Sequence, residues 1–345
     1  MTGETTATAV VAHGAQDLRV EQLSVPAPGP GQVLVEVAYG GICGSDLHYY
    51  HRGAVGDFVL REPLVLGHEV VGRVAASGPD TDAPAVGTEV AVHPATPCGE
   101  CAECRSGRRQ VCAHVRYLGS AARFPHVQGG FASTMLVPAQ QVHALPSGLS
   151  LLRAAVAEPL SVALHAVRRA GDVRDASALV VGAGPIGCLA VLALRAAGAR
   201  QVVATDIVEE AVAVARAAGA DAGVIAGSKE AEALEGFDVV IEASGAPAGL
   251  GAALRAVRRG GTVVQLGLLP PGEVPFAGNV VVTREISVVG AFRFDTEFTD
   301  ALDLLAGGLA TDVVVTHVLP VAASREAFDL AGDRQRACKV LLDFA

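Results

Sequence analysis

The chain has 345 residues, enough for two domains, and 51% of them are hydrophobic, enough for a sizeable core. Asp and Glu number 36 against 26 Lys and Arg, a net charge of −10, which argues against nucleic acid or an anionic membrane as partner. No apolar run is long enough to span a membrane, and residues 1–8 lack a basic stretch followed by an apolar core, so neither a membrane segment nor a signal peptide is expected.

From Val10 to Val37 the pattern is short strands punctuated by Gly and Pro, and Val33–Val37 alternates as a strand does. The same pattern returns at Val70–Val74 and Gly87–Val92, which predicts a small β-rich, barrel-like domain with its function on the loops. Within it, residues 40–72 hold Cys43, Ser45, Asp46 and His48, then Gly67-His68-Glu69. Thiolate, imidazole and carboxylate are the side chains that bind Zn²⁺. Cys43 and His68 are 25 positions apart, so two separate segments must converge to join them. Taken singly, each also reads as a core thiol or a satisfied histidine. Two or three protein ligands and a water would leave a zinc position open, the pattern of a catalytic site.

Cys98, Cys101, Cys104 and Cys112 follow, with two short C-x-x-C steps. This predicts a closed, structural Cys₄ zinc site that holds a loop without a core of its own. Seven cysteines with four so clustered suit metal binding in a reducing cytoplasm, not a disulfide framework. Residues 117–131 are irregular, rich in Gly with one Pro. Residues 154–170 are helix-like, with Glu158-Pro159 near the start.

The period then changes. Ala178–Val181 is a buried-type strand, followed by Gly182-Ala183-Gly184-Pro185-Ile186-Gly187, an apolar helix from Cys188 to Ala197, and a strand from Gln201 that ends at Asp206. This is the dinucleotide-binding fingerprint in its strand–turn–helix–strand setting. Gly182 permits the tight turn, Gly184 a close approach of backbone to pyrophosphate, and Gly187 close helix–strand packing; the helix N-terminus favours the phosphates. Further βα alternation to Leu266 predicts a parallel, doubly wound sheet. Ser244-Gly245 and Gly267-Leu268 end successive strands and are candidates for the nicotinamide side. A strand at 285–290, a helix at 297–306 and a closing strand at 339–344 complete the reading.

Gly41-Ile42-Cys43-Gly44-Ser45-Asp46-Leu47-His48, Gly67-His68-Glu69-Val70-Val71-Gly72 with Gly78, the Cys₄ spacing and the fingerprint occur in an order that resembles the zinc-containing medium-chain alcohol and polyol dehydrogenases, over nearly the whole chain. The resemblance implies a GroES-like catalytic domain of residues 1–153 with 295–345, and a Rossmann NAD-binding domain of residues 154–294. It implies two zinc ions per subunit, one catalytic and one structural. Ser45 matches the hydroxyl that starts the family's proton relay and His48 its outer member; Asp46 fits a carboxylate that orients His68. Glu69 is a third ligand or a carboxylate beside the metal, and Glu158 reaches the catalytic zinc in the polyol branch; both assignments stay open. The expected chemistry is hydride transfer between a carbinol carbon and nicotinamide, with zinc as Lewis acid. Asp206 suits a ribose 2′-hydroxyl and repels a 2′-phosphate, and Ile207 and Val208 bring no positive charge, so NAD is expected over NADP.

For substrate, Ser45–Tyr50 and Gly56-Asp57-Phe58 resemble the sorbitol/xylitol branch, while Leu118–Phe131 and Gly290-Ala291-Phe292-Arg293-Phe294 are similar to L-idonate 5-dehydrogenases, which interconvert L-idonate and 5-keto-D-gluconate. Tyr49, Arg123, His126 and Arg293 are the expected substrate contacts. A polyol or other secondary-alcohol (threonine-type) dehydrogenase is the alternative. By analogy a homodimer or homotetramer is expected. A nucleic-acid-binding zinc protein and a non-catalytic NAD-binding protein are the competing classes; the net charge opposes the first and the Cys43/His68/Glu69 set the second.

Overall fold

The computed structural model describes residues 4–345. Two large sheets organise it. The first has seven strands: Val142–Ala144, Glu89–Val92, Glu69–Ser77, Gln32–Gly41, Lys339–Asp343 and Val315–Pro320 in that order, with Thr134–Pro138 also pairing Gln32–Gly41. In Gln32–Gly41 the alternating residues Val33, Val35 and Val37 face inward, as a period of two requires, and meet Val70, Val74, Val90 and Leu342 in one core. A smaller sheet of Thr5–Gly14, Asp17–Val25 and Leu64–Val65 lies beside it.

The second sheet is wholly parallel. Its six strands run Ala222–Ile225, Gln201–Asp206, Ser177–Val181, Phe237–Glu242, Val257–Gln265 and Ser287–Gly290. The order reverses between Ser177–Val181 and its two neighbours, the doubly wound arrangement that leaves a crevice at the strand ends. Every residue of Ser177–Val181 is buried, as a central strand covered on both faces must be. The helices Ala157–Ala170 and Pro185–Ala196 share one apolar core with it.

Some elements carry little sequence signal. The helix Gly44–Arg52 has no clean apolar stripe, and its start is set by one polar contact: the Cys43 amide donates to Asp46 Oδ2 at 2.9 Å. It stops at Gly53, whose φ of 67° suits a residue without Cβ. The helix expected at 154–170 begins at Ala157 and runs to Ala170, after a separate short helix, Leu151–Ala154. Strand Val315–Pro320 and helix Ser324–Gly332 bring the tail back to the first sheet. Among the described residues no helix is long and apolar enough to cross a membrane.

Candidate active site

The two distant motifs meet. Cys43 caps the helix Gly44–Arg52, while Glu69 begins the strand Glu69–Ser77 and pairs with Gly41 at the end of Gln32–Gly41. Asp46, fully buried, ties them: Oδ2 accepts from Cys43 N at 2.9 Å and Oδ1 from Gly67 N at 3.1 Å, with His68 Nδ1 3.9 Å from Oδ1. One donor atom each from Cys43, His68 and Glu69 lies within 4.8 Å of the others. Two glycines are demanded by contact. A Cβ on Gly41 would stand 2.1 Å from Glu69 Oε2, and one on Gly67, whose φ is +91°, would stand 2.1 Å from the Phe131 ring.

The electrostatics of the cluster are dominated by burial. Burial disfavours a charged His68, but Asp46 and Cys43 outweigh it and hold the ring well above the usual histidine range. Burial pushes the Glu69 carboxyl up to about 7, against the pull of Lys339. Lys339 Nζ is equally buried and donates to both Glu69 oxygens at 2.8 Å and to Ile42 O at 3.0 Å. The second carboxylate, Glu158, lies in the first turn of Ala157–Ala170 and accepts from Tyr117 Oη at 2.6 Å. Tyr117 packs 5.6 Å from the His68 ring, centroid to centroid. Thus Glu69 is held by an ammonium and Glu158 by a phenol. Only Glu69 joins Cys43 and His68 in the compact donor set.

Ser45 and His48 are three residues apart on the helix Gly44–Arg52, hence on one face. Burial, then Arg52 and His51, lower the His48 pKa, which leaves the ring neutral near pH 7.

The four cysteines form the second donor set, again within 4.8 Å of one another. Cys112 Sγ is 3.5 Å from Cys98 Sγ and 3.7 Å from Cys101 Sγ. A tetrahedron with zinc–sulfur bonds of about 2.3 Å has sulfur–sulfur edges of about 3.8 Å, so the thiols fit that ion. The backbone amides of Glu100 and Cys101 draw the Cys98 thiol down to about 6.

The nucleotide turn fits its expected group as well. Gly184 caps the helix Pro185–Ala196, with Pro185 and Ile186 in its first turn. A Cβ on Gly187 would stand 1.9 Å from Gly182 O, and one on Gly182 2.7 Å from Ser244 N; one on Gly184 would meet nothing within 4 Å. Two of the glycines are therefore packing requirements, and the third faces open space beside the helix N-terminus. Asp206 accepts from Ala183 N at 2.7 Å and from Val208 N at 3.1 Å. Ser244 and Gly245 turn around the buried Glu242, which accepts from Ser244 N at 2.9 Å, from Gly245 N at 3.2 Å and from Gln265 Nε2 at 2.6 Å. Gly267 presses on that turn, with room for no Cβ, and Leu268 is exposed.

The four expected substrate contacts separate into two groups. Tyr49 is buried, its hydroxyl accepting from Ala121 N at 2.9 Å. Arg293 lies over the Tyr117 ring at 4.4 Å and the Phe292 ring at 4.6 Å, one ring away from His68, and forms no ion pair among the described residues. Arg123 instead donates to the carbonyls of Ala113 and Val115. His126 accepts from Arg61 N at 2.9 Å on Nε2 and binds Arg123 O at 2.7 Å through Nδ1, so both ring nitrogens are taken by backbone. These contacts fasten the 117–131 loop and occupy both ring nitrogens of His126, while the Arg123 guanidinium keeps its Nη1 donors free of protein partners among the described residues.

Sequence reasoning passed over four residues. Lys339 had a signal, a single cation at the head of the apolar run Val340-Leu341-Leu342. Glu242 likewise ends an apolar strand. Tyr117 sits in a segment without periodicity. Arg334 Nη1 approaches Asp206 Oδ2 to 3.9 Å, a positive charge that local sequence around Asp206 cannot reveal because it comes from 128 positions away.

Residues 29–147 match the alcohol dehydrogenase GroES-like domain and residues 185–307 the zinc-binding dehydrogenase domain. The chain is 38% identical over 316 residues to the L-idonate 5-dehydrogenase (NAD(P)(+)) of Escherichia coli, covering 90% of this chain and 91% of that one. It is 35% identical over 340 residues to the sorbitol dehydrogenase of Bacillus subtilis, covering 96% and 95%. The crystal structure of the Escherichia coli L-idonate 5-dehydrogenase superimposes with a TM-score of 0.94 at 35% identity over 99% of both chains. With two donor sets, a GroES-like domain and a doubly wound nucleotide sheet, the chain belongs to the zinc-binding medium-chain alcohol dehydrogenases and is an oxidoreductase of that family.

Proposed function

We propose that this enzyme interconverts L-idonate and 5-keto-D-gluconate, with NAD preferred over NADP and two zinc ions per chain. The observation that carries the sugar-acid reading is Arg293, a cation that forms no ion pair among the described residues, stacked on Tyr117 beside the Cys43/His68/Glu69 set. Its guanidinium offers a planar fork to a carboxylate at the far end of the substrate. The relatives named above support the same class and include a polyol dehydrogenase, so sorbitol or xylitol is the competing substrate.

Cys43, His68 and Glu69 would hold the catalytic zinc, which supplies Lewis acidity toward the substrate oxygen. Lys339 keeps Glu69 in position. Glu158, fixed by Tyr117, stands by as a second carboxylate. Ser45 Oγ takes the hydroxyl proton and passes it to the neutral imidazole of His48, which leads outward along the helix face. Gly182, Gly184 and Gly187 with the helix N-terminus hold the pyrophosphate, and Ser244, Gly267 and Leu268 border the nicotinamide. Asp206 faces the ribose and supports NAD, while Arg334 nearby reduces the penalty for a 2′-phosphate. Cys98, Cys101, Cys104 and Cys112 would hold the structural zinc.

The test is NADH formation with L-idonate, sorbitol, xylitol and threonine. A buried donor left unpaired costs about 1–3 kcal/mol, so L-idonate should exceed the polyols at least roughly tenfold in kcat/KM. Sorbitol or xylitol at parity would remove the sugar-acid assignment and leave the polyol one.

A further inference from the structure

Arg293 has a φ of +54°, a left-handed conformation that a long side chain rarely adopts. Strain of this kind persists only where the surroundings over-determine it, and it collects at binding sites. The residues that follow supply the restraint. Phe294 is buried, stacked on Phe298 at 5.8 Å and edge-on to His93 at 4.9 Å. Asp295 N donates to Glu297 Oε2 at 2.9 Å. Most telling is the Asp295 carboxylate. It is only 16% exposed, yet it reaches out of its own segment to the four-cysteine lobe, where Oδ1 accepts from Arg109 Nε at 2.8 Å and Oδ2 from Arg109 N at 3.3 Å. Arg109 opens the short helix Arg109–Val111 that leads into Cys112.

We propose that Asp295 is a positioning residue: through Arg109 it anchors the strained turn to the four-cysteine lobe and so aims the Arg293 guanidinium at the substrate. This rests on the reading of Arg293 as a substrate contact. It also gives the lobe a second task beyond its own stability. A lobe that only closed a loop would need no directed ion pair to a residue two positions from the substrate arginine. Because the pair acts on where Arg293 sits and not on the reacting atoms, it belongs to substrate binding, and its loss should appear in KM and leave kcat alone.

The experiment compares Asp295→Asn and Arg109→Gln, alone and together, each with and without Arg293→Ala, using the full-length enzyme and the best substrate of the panel. KM, kcat, NADH affinity by fluorescence and zinc content are measured, and a crystal structure of Asp295→Asn is determined. Each single variant should raise KM about three- to tenfold, with kcat within about twofold and with NADH affinity and zinc content unchanged. The double variant should be no worse than either single one, and the effect should vanish in the Arg293→Ala background. In the crystal, Arg293 should leave the Tyr117 ring. An unchanged KM, an equal rise in the Arg293→Ala background, or Arg293 still seated on Tyr117 overturns the proposal. If Arg293→Ala itself leaves KM unchanged while Asp295→Asn moves Arg293 in the crystal, the anchoring stands and the substrate role of Arg293 is what fails.

Discussion

Gly187→Ala and Gly184→Ala should separate packing from cofactor contact in the nucleotide turn. At 187 the new Cβ would lie 1.9 Å from Gly182 O. An ordinary carbon–oxygen contact is about 3.2 Å, so helix and turn must part by about 1.3 Å. The helix cannot simply retreat, because Cys188, Leu189, Ala190, Val191, Ala193 and Leu194 are all without exposed surface. Overpacking of this kind costs about 1–3 kcal/mol, and the rigid neighbours argue for about 3. At 184 the backbone is at φ −67°, which any residue adopts, and the Cβ meets nothing within 4 Å. Gly184→Ala should therefore keep its stability within about 0.5 kcal/mol, small losses at the cap offsetting the gain from a stiffer unfolded chain. Its methyl nevertheless projects beside the helix N-terminus, and NADH affinity should fall about tenfold or more. The chain has no Trp, so unfolding in guanidinium is followed by far-ultraviolet circular dichroism, and NADH binding by the fluorescence of the cofactor itself. The reasoning fails if Gly187→Ala is as stable as the parent, or if Gly184→Ala binds NADH unchanged.

Three further outcomes are expected. Lys339→Met strands the Glu69 carboxylate in the core and should cost about 3–5 kcal/mol of stability, most of it recovered in Lys339→Met/Glu69→Gln; a single variant as stable as the parent would refute the pair. Metal analysis should find about two zinc ions per chain, with Cys43→Ala losing one of them and all turnover while staying folded, and Cys101→Ala losing the other together with stability. Asp206→Asn keeps an acceptor for Ala183 N but removes the charge, so the ratio of kcat/KM for NAD over NADP should fall on the order of tenfold; an unchanged ratio would take Asp206 out of cofactor choice.

What the sequence made legible was whatever short range controls. The fingerprint from Gly182 to Asp206 is contiguous, and its two strands form within one residue of their expected ends, while the helix starts at Pro185, three residues before the expected Cys188, because Gly184 caps it. The four cysteines fall within one lobe and needed no tertiary information to be grouped. Cys43, His68 and Glu69 converge through Asp46, a residue already placed beside them by its motif. What stayed hidden depends on long-range packing. The helix Gly44–Arg52 is held by capping and by burial of Tyr49 and Tyr50, not by propensity. Lys339 meets Glu69 across 270 positions, and Arg334 meets Asp206 across the same part of the tail. Arg123 and His126 show the converse limit. A polar side chain in a functional loop reads as a ligand contact, and here backbone groups of Arg61, Ala113 and Val115, set by the fold and not by the local sequence, also engage these two.

The strand Lys339–Asp343 lies between Gln32–Gly41 and Val315–Pro320 in the first sheet, and this has a consequence during synthesis. Glu69 leaves the ribosome 270 residues before the ammonium that neutralises it. At about 5–20 residues per second that interval is about 14–54 s. Throughout it the Tyr39–Gly41 end of Gln32–Gly41, which will receive Lys339–Asp343, has no strand on that edge, whose other end Thr134–Pro138 covers, and so is open to pairing with another nascent chain. The parallel sheet, drawn entirely from residues 177–290, has all its strands synthesised before Lys339 appears. The metal-binding half therefore matures last, on a nucleotide-binding half already in place, and a nascent chain that stalls before residue 339 has the donor set but not the cation that holds Glu69 ready to use it.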